Sequence, residues 1–385
     1  MMIEVENMDK VSVIKTLNYE PAEVEKGVRA AVDLAGGMAA FVNPGQIVLV
    51  KPNMLESGHR GFLVTTHPEV VRAVIRLVKE VGGVPLVGDS PAFESTQKVA
   101  EKTGLAAVCR EEGARLVSFD ETCHVPYGKG KMAQGFSLAK ACVDADVIIS
   151  VAKMKTHSLT GVTGAVKNLF GAVVGAEKAQ YHLRMQKHAD FAAWLVDLAE
   201  CLRPALSIID GVRAMEGQGP RNGAAYEAGV VLAGANPFAV DAAMSRLMGF
   251  TGAKLPVELE AAQRGLADVE NLELVGDGRK LAFNFAPPHT YEKLDDVVPS
   301  WLVAAARREL TAWPVVDNAR CVRCGRCIAH CPPKAMAMQD GNVVVERSRC
   351  IRCYCCQELC PADAVQLKQG RLLRLWKSWK KWSGR

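Results

Sequence analysis

The chain has 385 residues, 49% of them hydrophobic and 23% charged, which is globular composition and enough for two or three domains. No run approaches the roughly 18 apolar residues a spanning helix needs, so transmembrane and disordered classes are excluded; the acidic start Met1 to Asn7 lacks a secretory pattern and sets the cytoplasm as the expected address. The formal charge is +5, but residues 371–385 alone carry +6, which leaves −1 for everything before them; no broad basic surface exists, and no nucleic-acid partner is expected.

In chain order, apolar β-branched runs predict strands near Val11–Lys15, Ile47–Val50, Pro85–Gly88, Arg115–Phe119, Val147–Val151, Leu206–Asp210, Val230–Ala233 and Leu272–Val275. Amphipathic spacing predicts helices over Pro21–Leu34 and Pro68–Val81, each opened by proline, then Ser95–Glu112, Tyr181–Leu202, Pro237–Met248 and Pro256–Gly265. The alternation is that of an α/β domain, a largely parallel sheet with covering helices, over residues 10–285. Strand order is not set by these runs. Residues 286–318 read as a linker with a connecting helix from Trp301 to Trp313, residues 319–368 as a small α+β module, and 369–385 as a basic tail.

In open α/β sheets the ligand crevice lies beyond the carboxyl ends of the strands, so polar residues directly after apolar runs carry weight. Such residues are Lys51 and Asn53, Asp89, then Lys153, Lys155 and His157, and Asp210 with Glu216. The stretch Ser158–Gly171 adds Thr160, Thr163, Lys167 and Asn168 where a loop is expected to enter a helix, a setting for a phosphate or carboxylate. It is no Walker loop, because Lys167 lies between Val166 and Asn168. For one such lysine a solvated surface place is the ordinary reading; five polar groups after one strand favour an anion site. The ligand-binding expectation is Lys51, Asn53, Lys153, Lys155, Thr160, Thr163, Lys167 and Asn168, and the catalytic candidates are Lys153, Lys155, His157, Asp89, Asp210 and Glu216. Asp89, Asp210, Glu216 and Asp241 also suit a divalent cation or, more plainly, turns and helix caps. No Gly-x-Gly-x-x-Gly follows a strand, so no built-in dinucleotide site is indicated.

Nine of the thirteen cysteines fall between Cys321 and Cys360, which argues against a disulfide scaffold. Cys321, Cys324, Cys327 and Cys331 precede Pro332, and Cys350, Cys353, Cys356 and Cys360 precede Pro361, a repeat of 29 residues in which Ala335 and Ala364 also coincide. This is the two-cluster bacterial ferredoxin run, in which the fourth cysteine crosses to the other cube. Cluster one is then expected on Cys321, Cys324, Cys327 and Cys360, and cluster two on Cys350, Cys353, Cys356 and Cys331. Paired Cys-x2-Cys also holds zinc, but doubled four-cysteine runs each closed by proline favour iron–sulfur cubes. Cys355 stands outside the pattern, and Asp340-Gly341 reads as the hairpin turn between the halves. In the tail, Leu372, Leu375, Trp376 and Trp379 share a helical face opposite basic residues, the pattern of a helix lying on an anionic membrane surface or of one packed on the body.

Lys51-Pro52-Asn53, Gly88-Asp89-Ser90-Pro91, the segment Lys153 to Gly171, Asp210-Gly211 with Met215-Glu216-Gly217, and Asn236-Pro237 with Asp241 resemble the domain-of-unknown-function family 362. That resemblance implies an α/β domain fused to a two-cluster ferredoxin module, and no known substrate. Three functions follow as expectations. The first is an oxidoreductase that moves electrons through two 4Fe-4S clusters to or from a small anionic molecule. The second is a ferredoxin-type carrier that serves a redox partner protein, its α/β half a docking module. The third is a non-redox enzyme with structural clusters.

Overall fold

The structure is a computed structural model that describes residues 8–57, 61–91, 94–175, 177–178, 181, 185, 187–250, 255–288, 290 and 312–368. Twelve strands belong to the larger unit: β1 (Lys10–Lys15), β2 (Ile47–Pro52), β3 (Val84–Val87), β4 (Arg115–Leu116), β5 (Thr122–Pro126), β6 (Gly135–Ala139), β7 (Val147–His157), β8 (Gly161–Thr163), β9 (Leu206–Glu216), β10 (Ala224–Tyr226), β11 (Val230–Gly234) and β12 (Glu273–Gly276). The main sheet runs β12-β1-β11-β9-β7-β2-β3-β4, with β8 and β10 as short antiparallel additions to β7 and β9. Every main-path strand runs the same way except β11, which is antiparallel to both β1 and β9. The fold is the largely parallel α/β sheet expected from the alternating pattern.

Continuous apolar runs mark strands covered on both faces, and β7 is buried along all eleven residues. Leu49, Ile148, Ala152, Met154 and Ile209 face one layer, built from helices His188–Leu202, Pro237–Leu247 and Pro256–Gln263. Val48, Val50, Ile149, Val151 and Ile208 face the other, built from Pro21–Leu34, Pro68–Glu80 and Leu105–Glu111. Pro68 opens its helix behind an unusual cap, the His67 side chain, which accepts from the Glu69 amide; Asn236 caps the Pro237 helix in the same way.

Several boundaries move from their expected places. The helix expected over Ser95–Glu112 is two, Thr96–Lys102 and Leu105–Glu111, because Gly104 takes a φ of +81 that breaks the ladder. The helix expected from Tyr181 is described from His188 onward, and β4 stops at Leu116. The β5–β6 hairpin was not legible as strands; its Phe136 packs edge-on against Trp194 at 5.3 Å. Trp313, expected to end a connecting helix, opens a strand instead, and the rest of that helix lies outside the described residues.

The smaller unit pairs β13 (Trp313–Val316) with β16 (Val365–Lys368) and β14 (Met336–Gln339) with β15 (Asn342–Val345), all antiparallel. Asp340 and Gly341 turn the second hairpin, both at positive φ. Among the described residues no helix is long and apolar enough to cross a membrane.

Candidate functional site

The first correction concerns the end of β7. Lys153, Lys155 and His157 were expected beyond the strand, but β7 continues through His157 and turns back as β8 over Gly161–Thr163, where a loop was expected. A strand can carry lysines this far inside only if their charges are answered. For Lys153 the answer comes from its cross-strand neighbour: Lys153 lies opposite Asp210 on β9, and its Nζ is 2.8 Å from Asp210 Oδ2 with both side chains wholly buried. Tyr19 completes the group. Lys153 Nζ donates to its hydroxyl at 2.6 Å, that hydroxyl donates to Asp210 Oδ1 at 2.8 Å, and the His67 amide donates to Asp210 Oδ2 at 2.9 Å. The His67 ring stacks on Tyr19 at 3.7 Å, and burial lowers its pKa to about 4.

Lys51 forms the second buried pair, on the opposite face of the sheet. Its Nζ is 2.7 Å from Asp89 Oδ1 and 2.7 Å from the Asn168 carbonyl, while Asp89 Oδ2 accepts from the Met54 amide at 2.7 Å. Only glycine fits at 171, because a Cβ there would lie 1.9 Å from Asp89 Oδ1 and 2.7 Å from Lys51 Nζ. The other carboxylates do not converge on these pairs. Asp241 accepts from the Ala165 and Val166 amides at 2.5 and 3.1 Å and anchors the short helix Ala165–Asn168, while Glu216 Oε2 accepts from the Ala286 amide at 2.8 Å. Among the described residues no three His, Cys, Asp or Glu side chains gather as a single-ion site. Asp89, Asp210 and Asp241 are thus placed as ion-pair and capping groups.

Lys155, Lys167 and His157 remain, and these do come together. Lys155 Nζ donates to Asn53 Oδ1 at 2.6 Å and to the Val64 carbonyl at 2.7 Å, and Asn53 Nδ2 donates to Asn168 Oδ1 at 3.2 Å. Burial, and after it the nearby Lys167, lowers the Lys155 pKa to about 7 against the pull of Glu358. Lys167 Nζ sits over the Phe170 ring at 4.5 Å and near the Phe191 ring at 5.8 Å, and its pKa is also lowered by burial. Thr163, cross-strand to Lys155, keeps a buried hydroxyl without a hydrogen bond, whereas Thr160 Oγ1 is spent on the Val162 carbonyl at 2.7 Å. His157 Nδ1 accepts from the Leu159 and Thr160 amides at 3.0 and 3.4 Å, so the ring proton sits on Nε2. That nitrogen is 3.4 Å from Glu358 Oε1.

Glu358 was not singled out from sequence, nor were Tyr19, His67 and Lys178. It lies in the smaller unit, on the helix Cys355–Glu358, and burial raises its pKa while Lys167 and then Lys155 pull it back. That helix docks on the end of β7 and on the chain after β9. Ser158 Oγ donates to Gln357 Oε1 at 3.2 Å, Gln357 Nε2 to the Gln218 carbonyl at 3.2 Å, and Arg221 to the Glu358 carbonyl at 3.1 Å. Arg221 is fixed from the other side by an ion pair with Glu56. Lys178 donates to the Ser90 carbonyl, and burial lowers its pKa to about 7.

All thirteen cysteines are free thiols. One cavity, with about 320 Å³ of atom-free space, is lined by Cys331, Cys350, Cys353 and Cys356, and by Cys355. A second, of about 330 Å³, is lined by Cys321, Cys324, Cys327 and Cys360. Soft donors, four to a cavity, are the set an iron–sulfur cube requires. The backbone repeats with the sequence: Arg323 and Arg352, Gly325 and Tyr354, and Lys334 and Asp363 are three pairs 29 residues apart, all at positive φ. The Ala335 amide donates to Cys331 Sγ at 3.1 Å and its counterpart Ala364 to Cys360 Sγ at 3.2 Å, so the shared alanines mark a shared N–H···S bond to the crossing sulfur.

Comparison with known proteins agrees with this division. The model of the family described as "Domain of unknown function (DUF362)" matches residues 48–246, and that of a "4Fe-4S dicluster domain" matches residues 314–361. The "Thylakoid-associated protein sll1697" of Synechocystis sp. is 37% identical over 257 residues, 66% of this chain and 79% of that protein. Among solved structures, the lactate racemase apoprotein of Thermoanaerobacterium thermosaccharolyticum aligns with a TM-score of 0.37 and 13% identity, covering 61% of this chain and 56% of that one, little more than half its length. The chain belongs to the DUF362 family and carries an iron–sulfur module of the dicluster type.

Proposed function

We propose that this member of the family is an iron–sulfur oxidoreductase in which electrons pass between two 4Fe-4S clusters and a small anionic molecule held beside Lys155 and Lys167. Cluster one would be held by Cys321, Cys324, Cys327 and Cys360, and cluster two by Cys350, Cys353, Cys356 and Cys331, the two cavity linings. The observation that carries the reading is the docking of the helix Cys355–Glu358. Cys355 lines the cavity of Cys331, Cys350, Cys353 and Cys356, and Glu358, one turn along, meets His157 at the end of β7. When bound, the clusters supply one-electron steps. The chain does the rest. Lys167, in no carboxylate ion pair among the described residues, and Lys155 neutralise and orient the anion, Asn53 and Asn168 fix Lys155, and His157 holds a proton at Nε2.

This reading has a pH signature. Lys155 is charged below about pH 7 and neutral above it, so affinity for a carboxylate or phosphate should fall as pH rises from 6 to 8. Titrating anaerobic holoprotein with a panel of carboxylates and phosphates measures this, with cluster potentials followed alongside. Lys167→Ala should weaken the same binding about tenfold, the scale of one charge-assisted hydrogen bond, with iron content unchanged. Affinity that ignores both pH and Lys167 would remove the site. A second reading, an electron carrier whose α/β half is a docking module, is favoured by Glu358, which already answers part of the Lys155 and Lys167 charge. Anions that bind without moving either cluster potential would select it.

The tail, residues 369–385, lies outside the described residues. Its basic, tryptophan-striped sequence and the thylakoid association named for the Synechocystis relative support peripheral contact with an anionic membrane surface. The full chain should sediment with anionic vesicles at low salt and less at moderate salt, whereas a chain ending at Gln369 should not; equal sedimentation of the two refutes the contact.

A further inference from the structure

If cluster two faces the α/β site, the other cluster must face whatever brings the electrons, and the surface over it has a definite character. Cys324, which lines the cavity of Cys321, Cys327 and Cys360, is solvent-exposed, and Val322 beside it is 64% exposed. Arg320 and Arg323 flank them, both exposed and, among the described residues, neither in an ion pair with a carboxylate. Arg323 Nε is steadied by the Gly341 carbonyl at 2.8 Å, which fixes the direction of that cation without reducing its charge.

The smaller unit adds to this. Residues 312–368 hold eight Lys and Arg against five Asp and Glu. Of the acids, Asp363 is buried, Glu358 is turned into the α/β interface, and Glu346 is 3.5 Å from Arg349. Asp317 is half-buried and accepts from the Ala319 amide, and Asp340, in the hairpin turn beside Gly341, is exposed, yet the accessible side-chain charge of the unit stays positive. A small apolar centre with an exposed cluster ligand, rimmed by exposed guanidinium groups, fits a protein with the opposite design.

We infer that the Arg320, Val322 and Arg323 face is the docking surface for a small acidic electron-carrier protein, which exchanges electrons with cluster one. One electron leaves the reduced carrier and arrives at the site of Cys321, Cys324, Cys327 and Cys360; the carrier rises one oxidation level, the site falls one, no bond is made or broken, and no proton moves. This rests on the proposed function only for the order of the two clusters. Electrostatic steering raises association rates by about tenfold to a thousandfold and fades with salt.

The probe is a strongly acidic flavodoxin, with anaerobic holoprotein, and association is followed by stopped flow and by equilibrium binding. Binding should weaken severalfold between low and physiological salt, and the double variant Arg320→Glu, Arg323→Glu should slow association about tenfold. The double variant Lys26→Glu, Lys102→Glu, an equal change of charge on exposed lysines of the other unit, should leave it near the parent. Association insensitive to salt, or equal loss in both double variants, would overturn the inference. If the rim variant fails to load its clusters, the milder pair Arg320→Gln, Arg323→Gln decides, since the basic tail is unchanged in it and only the rim charge is lost. None of these readouts involves the Lys155 and Lys167 site, so failure there and failure here are distinguishable.

Discussion

Cys331→Ser should lower iron and acid-labile sulfide from about eight of each per chain to about four, with loss of the cluster nearer the α/β unit. Cys331 sits in the first cysteine run, and adjacency in sequence alone would assign it to Cys321, Cys324 and Cys327. In space it lines the cavity of Cys350, Cys353 and Cys356, while Cys360 from the second run lines the other. The N–H···S bonds from Ala335 to Cys331 and from Ala364 to Cys360 aim each crossing sulfur. Cys360→Ser should therefore produce the reciprocal loss. The pair is checked by iron analysis and electron paramagnetic resonance after anaerobic reconstitution. The second consequence is functional: without cluster two, no anion should shift the potential of the cluster that remains. If Cys331→Ser instead removes the cluster of Cys321, Cys324 and Cys327, the crossing assignment is wrong.

The cysteine module was legible because its chemistry is written locally, in a 29-residue repeat whose spacing is itself the ligand geometry. The α/β alternation was legible for the same kind of reason, since continuous apolar runs and proline-opened helices are local patterns. The fate of the strand-end lysines was not. An apolar criterion ends β7 at Val151, just before the first lysine, and β2 at Val50, yet β7 continues because Lys153 finds Asp210 and β2 takes in Lys51 because it finds Asp89, partners 57 and 38 residues away. Those pairings depend on strand order and register, which no single run encodes. Glu358 is harder still, since its place beside His157 exists only once the two units dock. Gly104, by contrast, was a visible breaker inside an expected helix, and the structure breaks there.

Lys153→Ala should cost about 3–5 kcal/mol of stability, because it leaves the Asp210 carboxylate in a fully buried position without its cation. Three donors would remain, the Tyr19 hydroxyl and the His67 and Val212 amides, which holds the loss toward the lower figure. For a unit of this size that is a fall in melting temperature of roughly 10 °C. Lys167→Ala makes the same chemical change and should cost about 1 kcal/mol or less, since Lys167 lies against ring faces and Glu358, whose charge it partly answers, keeps Lys155 and His157 nearby. Thermal and urea unfolding of the two variants, with the cycle Lys153→Met, Asp210→Leu to measure coupling, separates a lysine that holds the sheet together from one free to meet an anion. If the two losses were equally small, Asp210 would be satisfied without Lys153. Lys153 would then have to be counted among the cations available to the ligand.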